Sequence, residues 1–570
     1  QIGYENGGLA LEFFHGVTRE VVLQGLSMAN KRSLHMATVC ALEKIHGANP
    51  EKADVFARHY EQAGDFQKAF DAFRMSGKFE SSRFERERSY SAFQKAAGIL
   101  TKLPIEIQAQ KLRDLIEDWG NYAYDLDDLK TCRYLYELGM KTGETNQDPK
   151  LIAVSLLGLG RLAEMQGNLA EGIESLNRAL FFLKKLNEPR SLIETYSRLG
   201  FLFEMKHEFK RAKEVFEEGL KIERDVNDPK TMDSMINLET RQALLLCMMG
   251  YPAKAEEIAD ITANESLLVP RQSAKIQAYA TLATARLYGG KFKQAIQNAN
   301  SVYQLAQQYG LERWETLLDL VMAKCHLAQG HLDECWIHVH KARAGKNIAV
   351  MKDLDLFSNE ILGDLYRLLG DLPAAEELYR RGAREPLDNL QSLENYFLLG
   401  LTQYQLGKSE EGLETIRDAA RRSEALGLET VSLSARLHET VLSVWISDPQ
   451  EAIRLMPPIV TKMIERGCHP GVWNASLIRG EMAMLQGDMS QAREELLETI
   501  AITHEMGHQW IELWALTELA TMKELDNVEK QSYHQAIADI LVEVSHHAQK
   551  KPLRALFHKF EKKTLQNLKK

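Results

Sequence analysis

The chain has 570 residues, is 45% hydrophobic and 26% charged, and carries a formal net charge of -10. This acidic balance speaks against general binding to nucleic acid or anionic membranes. No apolar run approaches the length of a membrane-spanning helix, and six cysteines without a CxxC pair favour a reducing, cytoplasmic compartment over a disulfide framework. Scarce proline and the near absence of alternating strand patterns after residue 25 predict an all-α protein.

Residues 1–45 begin with an apolar, strand-like run followed by two helical stretches. They resemble the segment that joins the winged-helix and repeat regions of STAND-type signalling ATPases. The residues that carry this resemblance are Phe13, Phe14, His15, Arg19, Glu20, Leu34 and His35. It implies a winged-helix-like remnant with an ATPase domain upstream, although the nucleotide-binding motifs of that family are absent. An N-terminal cap for the helical repeats is the alternative.

Residues 46–105 are predicted to form irregular helical pairs. One stretch, "ARHYEQAGDFQKAFDAFRMSG" at 57–77, places Ala57, Gly64 and Ala69 at the spacing that the rest of the chain repeats. It is also typical of the first helical pair in STAND-type proteins.

A repeat with a mean period of 40 residues covers residues 106–525. Each copy reads as a helix, a turn and a second helix. One residue marks the turn of each copy. These marks are Asp127, Gly167, His207, Gly250, Gly290, Gly330, Gly370, Gly407, Ser447 and Gly487.

Two columns of mostly small residues keep register with the marks. Seven residues before the marks stand Gly120, Gly160, Gly200, Ala243, Ala283, Ala323, Gly363, Gly400, Thr440 and Gly480. Five residues after them stand Cys132, Gly172, Ala212, Ala255, Ala295, Cys335, Ala375, Gly412, Ala452 and Ala492. Antiparallel helices approach closely only where side chains are short, so both columns should be buried where the helices touch. Cys132 and Cys335 are then packing residues.

This small–turn–small spacing resembles the tetratricopeptide repeat, although the usual period of that family is 34 residues. The resemblance implies a superhelical solenoid of antiparallel helical pairs, in which the first helix of each pair lines the concave side. Helices or connections longer than usual would account for the period of 40.

A His-Glu-x-x-His pattern at His504, Glu505 and His508 raises the question of a zinc hydrolase. Twenty residues after most marks the chain carries a residue that stops helices. These residues are Asn187, Asn227, Gly310, Gly427, Gly467 and Gly507. Gly507 should therefore end the helix before His508, and the two histidines should not share a helical face.

Two further motifs are better explained as parts of the helical repeats than as binding sites. "LGKS" at 406–409 lacks the earlier glycine of a phosphate-binding loop, because that position is Thr402. "HLDECWIHVH" at 331–340 brings two metal-ligand types to one helical face at most, through Glu334 and His338. We therefore predict no enzyme, no catalytic or metal-binding residue and no cofactor.

Pro457 and Pro458 stand in the middle of the second helix predicted after Ser447. Because an interior proline costs about 3 kcal/mol or more, the sequence predicts a break near Met456.

Residues 526–570 are predicted to form a C-terminal helical cap with a basic tail. The stretch 550–570 holds eight Lys or Arg against one acid, Glu561. A basic partner-binding helix is the alternative.

The predicted function is binding of a protein or peptide. The candidate groove residues lie ten, six or three positions before the marks and mix both charges with aromatics. They are Arg161, Glu164, Ser197, Phe201, Glu204, Glu360, Asp364, Arg367, Phe397 and Tyr404. With the STAND resemblance, they imply the ligand-sensing arm of a signalling ATPase or regulator, with its upstream ATPase domain as a further partner. A free-standing scaffold is the alternative, and a zinc hydrolase is the remote one. No specific nucleic acid and no membrane is expected as a partner.

Overall fold

The computed structural model describes residues 2–5, 8–11, 24–47, 49–83, 85–223, 227–345, 348–384, 386–444, 449–467, 469–522 and 525–568. The chain divides into two compact units, Gln1–Thr195 and Tyr196–Lys570. Each unit has its own buried apolar clusters. Of the resemblance residues near the N-terminus, only Leu34 and His35 lie within the described part.

The first unit opens with an antiparallel hairpin of β1 (Ile2–Glu5) and β2 (Gly8–Leu11). Helices make up nearly all of the rest. They are α1 (Met28–His46), α2 (Ala53–Ala63), α3 (Phe66–Ser82), α4 (Arg86–Ile99), α5 (Ile105–Leu115), α6 (Asn121–Asp125), α7 (Leu129–Thr145), α8 (Pro149–Met165), α9 (Leu169–Leu186) and the start of α10 (Pro189–Met205). Short 3-10 turns at Pro50–Lys52 and Leu100–Lys102 and a π turn at Ile116–Gly120 join some of them.

The second unit is helical throughout its described residues. After the end of α10 come α11 (Phe209–Leu220), α12 (Pro229–Met248), α13 (Pro252–Glu265), α14 (Gln272–Tyr288), α15 (Phe292–Gln308), α16 (Glu312–Ala328), α17 (Leu332–Arg343), α18 (Lys352–Leu368), α19 (Leu372–Gly382), α20 (Leu390–Gln405), α21 (Ser409–Leu426), α22 (Glu429–Val444), α23 (Pro449–Glu465), α24 (His469–Gln486), α25 (Met489–Met506), α26 (Gln509–Thr521), α27 (Asn527–His546) and α28 (Lys551–Asn567). Consecutive helices pack against each other, as expected for an all-α array of tetratricopeptide-like helical pairs.

The predicted turn marks are the points where one helix ends and its partner begins. All marks within the described residues have a left-handed backbone, with φ between 53° and 84°. Glycine adopts this conformation at little cost, which explains its dominance at the marks. Where the mark is Asp127 or Gly487, the next residue is an aspartate whose side chain caps the following helix. Ser447 itself lies outside the described residues.

A second set of left-handed residues closes most repeats, twenty positions after the mark. It comprises Gln147, Asn187, Gly310, Gly427, Gly467 and Gly507. Gln147 was not predicted from the sequence, because glutamine is an uncommon residue at positive φ. The prediction that Gly507 ends a helix is confirmed, since α25 stops at Met506 and Gly507 has φ 73°.

Both small-residue columns are buried, as predicted. In the first column every residue is buried except Thr440, which is half-buried. In the second column every described residue is buried, including Cys132 and Cys335 with no exposed surface. The Cys132 thiol donates to the Gly120 carbonyl oxygen at 3.8 Å, so one column contacts the other.

At the glycines of the first column other than Gly120, the residue sixteen positions later fills the space that the missing side chain leaves. A Cβ built on Gly200 would lie 2.3 Å from Phe216, and one built on Gly363 would lie 2.4 Å from Tyr379. Where the column carries alanine, the partner is smaller: Ala243 is followed by Ala259, and Ala323 by Val339. The two helices of a pair thus keep a similar spacing, because a large side chain on one helix faces a small one on the other.

Within the second unit, residues about 180–220 positions apart touch along what we call the seam. The Thr430 hydroxyl donates to the Cys247 carbonyl at 3.2 Å, and the Trp510 indole donates to the Leu327 carbonyl at 2.6 Å. Thr430 and Trp510 are 80 residues apart, as are their acceptors. Each of these two contacts joins a repeat of the second unit to one four to five repeats later in the chain.

The predicted break at the two prolines is wrong. Helix α23 runs from Pro449 to Glu465 with Pro457 and Pro458 inside it. Both prolines are exposed, so the carbonyl groups they leave unpaired can be hydrated. Met456, Val460 and Met463 are buried in one apolar cluster, and this packing outweighs the local cost of proline.

The basic C-terminal helix packs against the repeats. Leu553 and Phe557 of α28 are buried and belong to the same apolar cluster as Leu332 and Trp510. The apolar side of α28 thus covers repeat surface, as a cap would. The predicted domain boundaries at residues 45, 105 and 525 stay predictions. Among the described residues, no helix is both long and apolar enough to cross a bilayer.

Candidate functional site

A group of charged side chains from adjacent first helices meets in the second unit. This inner polar cluster consists of Lys324, Glu360, Asp364, Arg367 and Tyr379. The Lys324 ammonium lies 2.7 Å from Glu360 Oε1 and 2.5 Å from Asp364 Oδ2. The Tyr379 hydroxyl donates to Asp364 Oδ1 at 2.6 Å, and Arg367 lies 3.5 Å from the same oxygen.

The forty-residue period places these groups side by side. Lys324 on α16 and Asp364 on α18 each stand six residues before a turn mark, so neighbouring first helices present them at the same level. Tyr379 reaches the cluster from α19, because it is the large residue that packs over Gly363. The cluster therefore follows from the repeat register.

The cluster holds its charges by mutual pairing. Burial lowers the pKa of Lys324, but Asp364 and Glu360 outweigh it and hold that pKa well above its ordinary value. Burial raises the pKa of Asp364, but Lys324 and Arg367 outweigh it and hold that pKa below its ordinary value. For Glu360 burial dominates, and its pKa is raised. Removing the lysine would leave Glu360 without its cation and Asp364 with Arg367 alone.

Glu394 of α20 faces this cluster and has no hydrogen-bond partner among the described residues. Burial, followed by the carboxylate of Glu360, raises the pKa of Glu394 to about 8. Its side chain is half-buried. At neutral pH it is mostly protonated and can ionise when a cation approaches.

Ser197, Phe201 and Glu204 of α10 form a second group with two residues of α12. The Ser197 hydroxyl lies 3.2 Å from Asn237 Oδ1, and the Arg241 guanidinium lies 4.0 Å from the centre of the Phe201 ring. Burial raises the pKa of Glu204 to about 7 against the opposing effect of Arg241. Glu204 and Glu394 thus share the same state, a half-buried carboxyl whose charged form is disfavoured.

The other predicted groove residues lie apart from these two groups or pack against the fold. Phe397 is 5% exposed and meets the His438 ring edge-on at 5.3 Å. Tyr404 is half-buried at the end of α20. In the first unit, Arg161 lies 3.2 Å from Asn121 Oδ1 and 4.2 Å from the Tyr124 ring centre.

The structure places the ten candidate groove residues in two groups. Four of them are buried and contact neighbouring repeats, and the other six are half-buried. The buried four are Ser197, Glu360, Asp364 and Phe397, and the half-buried six are Arg161, Glu164, Phe201, Glu204, Arg367 and Tyr404. Lys324 and Glu394 were missed. Lys324 falls in the column six before the mark, while Glu394 lies thirteen before Gly407, one helical turn beyond the columns considered.

The His-Glu-x-x-His residues lie on two separate helices. His504 belongs to α25, is largely exposed and lies 2.9 Å from Glu512 Oε1. His508 is the N-cap of α26 and packs edge-on against Phe292 at 5.8 Å. A search of the described residues finds no group of three or more His, Cys, Asp or Glu arranged to hold a metal ion.

The histidine-rich stretch at 331–340 is used for packing within the second unit. His338 Nδ1 lies 2.7 Å from Asp319 Oδ1, and the other oxygen of Asp319 accepts a hydrogen bond from Tyr303 at 2.6 Å. His340 bonds the Trp336 carbonyl one turn back. As expected from their spacing, His338 and His340 have different partners.

No protein-family model and no curated protein matches the chain. Several solved structures are similar over most of its length. One is the APC/C hetero-tetramer Cut9-Hcn1, at 13% identity and TM-score 0.38, covering 96% of this chain and 99% of the other. Another is Rap protein complexed with competence and sporulation factor, at 12% identity and TM-score 0.35, covering 70% and 99%. A third is the Saccharomyces cerevisiae separase-securin complex, at 10% identity and TM-score 0.40, covering 96% and 42%. The assignment to tetratricopeptide-like helical repeats stands on the turn marks and the packing columns of this chain.

Proposed function

We propose that the second unit binds an extended segment of a partner protein along the first helices of its repeats. The observation that carries this proposal is the pair Glu204 and Glu394. Each is a half-buried carboxyl with a raised pKa and no hydrogen-bond partner among the described residues. Burying a carboxyl without a partner is costly, so a fold that retains two is best explained by a use for them.

Lys, Arg or an N-terminal amine of the bound segment would supply the missing partner. A cation beside Glu394 would favour its charged form and release the proton that it holds at neutral pH. Phe201 and Tyr404, both half-buried, offer apolar surface for neighbouring side chains of the segment. Peptide recognition commonly combines such polar contacts with side-chain pockets.

The test is a peptide selected from a displayed random library against the purified chain, with binding measured by calorimetry. In buffers of different ionisation enthalpy, wild-type binding should release a proton near pH 7. Glu394→Gln should remove part of this release and weaken binding at least tenfold. The matched control is Glu414→Gln on the second helix α21, where the side chain is 68% exposed. A selection that yields no binder, or a binder equally tight to wild type, Glu394→Gln and Glu204→Gln, would refute the proposal.

We propose further that this binding unit is the sensing arm of a STAND-like signalling ATPase. The support is the sequence resemblance of residues 9–43. Two residues of that resemblance, Leu34 and His35, lie on α1, where His35 Nδ1 is 3.0 Å from His59 Nδ1. The gene sequence upstream of Gln1 tests it. A glycine-rich phosphate loop there supports the sensing arm, whereas a start codon near Gln1 favours the free-standing scaffold.

A further inference from the structure

Four histidines gather where the C-terminal helices cross the seam. This histidine cluster consists of His326, His331, His338 and His547. The rings of His331 and His547 have centroids 4.3 Å apart, although the two residues are 216 positions apart in the chain. His326 stacks on His338 at 5.7 Å and lies 5.6 Å from His331.

The equivalent seam contact two helical pairs earlier in the chain is made by small residues. A Cβ on Gly467 would lie 2.7 Å from Ala253, which is the equivalent contact 80 residues earlier in the chain. There the two segments of the chain touch through a glycine and an alanine. At the cluster, the equivalent residues are Asp333 and His547, so contact between small side chains is replaced by hydrogen-bonding groups.

Asp333 holds the segment 545–550 in place through the backbone. Its carboxylate accepts hydrogen bonds from the amides of Gln549 at 2.7 Å and Lys550 at 3.0 Å. Its own amide donates to the His547 carbonyl at 2.7 Å. These three amides report directly on whether the segment is docked.

The contact between His326 and His331 requires that at least one of the two imidazoles be neutral. Their Nδ1 atoms are 3.3 Å apart, a distance at which one nitrogen must accept the proton of the other. When both rings are protonated, both nitrogens are donors and the contact becomes repulsive.

Acidic groups around the cluster limit this repulsion without removing it. Glu334 lies 3.2 Å from His547 Nδ1, Asp319 pairs with His338, and Glu543 acts on His331 from α27. On the neighbouring His340, the cations Arg343 and Lys550 add to burial in lowering the pKa. Burial, followed by His338 and His331, lowers the pKa of His326 to about 4, and burial followed by His547 also lowers the pKa of His331.

We propose that the histidine cluster is a proton-sensitive latch, which holds residues 545–550 on the turn at Gly330 when its imidazoles are neutral and releases them on acidification. Leu553 and Phe557 stay anchored in the apolar cluster, so the opening is local. This inference is independent of the proposed peptide binding.

The direction of the pH effect on docking follows from the lowered pKa values of His326 and His331. A histidine whose pKa is lower in the docked state favours docking above its ordinary pKa of about 6.5, and this contribution is lost as the pH falls toward the docked value. With a docked pKa of about 4 for His326, docking should weaken by at most about 30-fold between pH 7.5 and pH 5. Since part of this burial comes from its own repeat, a five- to tenfold loss is a reasonable expectation (about 1 kcal/mol).

Hydrogen exchange of the intact chain, read by mass spectrometry as protection factors at pH 7.5 and pH 5, tests the latch. Peptides covering 330–335 and 545–550 should lose about five- to tenfold protection at pH 5, while peptides from other repeats keep theirs. His331→Gln cannot gain a proton and removes one charge of the His326–His331 contact, so it should reduce the loss of protection of both peptides at pH 5. His558→Gln is the matched control, because that side chain is 62% exposed on α28.

Three results would overturn the latch. One is unchanged protection of residues 545–550 in the wild type at pH 5. Another is a pH-dependent loss of the same size in the wild type, His331→Gln and His326→Gln. The second of these variants covers the case in which the first does not fold. Loss of protection spread over the whole chain would indicate global acid unfolding and would likewise refute a local latch.

Discussion

The packing of the Tyr379 ring against Gly363 gives the sharpest test of the repeat packing. Gly363→Ala would place a Cβ 2.4 Å from a Tyr379 ring carbon, closer than real atoms approach. Tyr379 is fully buried and its hydroxyl is bound to Asp364, so the ring cannot move freely. Overpacking of this kind costs about 1–3 kcal/mol, while replacing glycine by alanine in a helix returns about 1 kcal/mol. The net expectation is a destabilisation of up to about 2 kcal/mol.

The sign should invert when the ring is removed. Tyr379→Val reproduces the smaller partner found at Ala323 and Val339, and in that background Gly363→Ala should stabilise by up to about 1 kcal/mol. Urea unfolding followed by far-ultraviolet circular dichroism measures all four proteins of the cycle. Gly98→Ala is the control, since nothing lies within 4 Å of its Cβ position and it should gain stability. If Gly363→Ala gains stability in the wild-type background as Gly98→Ala does, the packing argument is wrong.

Four further predictions follow from residues described above. Pro458→Ala should raise the unfolding free energy by up to about 3 kcal/mol, because it restores an amide donor within α23 at an exposed site; no gain in a urea titration would argue that the helix is interrupted there. Lys324→Met should cost about 3–5 kcal/mol at pH 7, because buried Glu360 loses its cation and Asp364 loses one of two. The cost should be smaller at pH 5, where Glu360 is more readily protonated, and an equal loss at both pH values would contradict the pairing. Because the pKa of Glu394 is raised to about 8, its contribution to stability is present at low pH and is lost as the pH rises from about 4.5 to 8, so thermal melts should show Glu394→Gln gaining more at pH 8 than at pH 5. Metal analysis of the purified chain should find no stoichiometric zinc. Zinc that is present in the wild type and lost in His504→Ala would restore the hydrolase alternative.

Sequence reasoning located the turns because each depends on a local requirement. A left-handed backbone at Gly167 or Gly507 and a short side chain at Gly200 can be recognised from a single column of the repeat. The same reasoning failed at Pro457 and Pro458, where burial of Met456 and its neighbours outweighs a local preference.

The candidate site was harder to predict than the fold. Position in the repeat identified Asp364 as a first-helix residue, but not that Lys324 would neutralise it. Phe397 has the right position for a groove residue and is nevertheless buried. The seam could not be predicted, because it depends on small rotations between successive helical pairs that add up over four to five repeats. His547 therefore showed no sign in the sequence of meeting His331.

The seam also restricts how such a chain can change its length. In an open array, each repeat touches only its neighbours, and a whole repeat can be gained or lost with little effect elsewhere. Here Thr430 bonds the Cys247 carbonyl and Trp510 bonds the Leu327 carbonyl. Deleting a single forty-residue repeat between 330 and 430 would shorten both separations by one repeat, and Thr430 and Trp510 would no longer stand opposite these carbonyls. Contacts between distant repeats of the second unit therefore oppose the gain or loss of a single repeat.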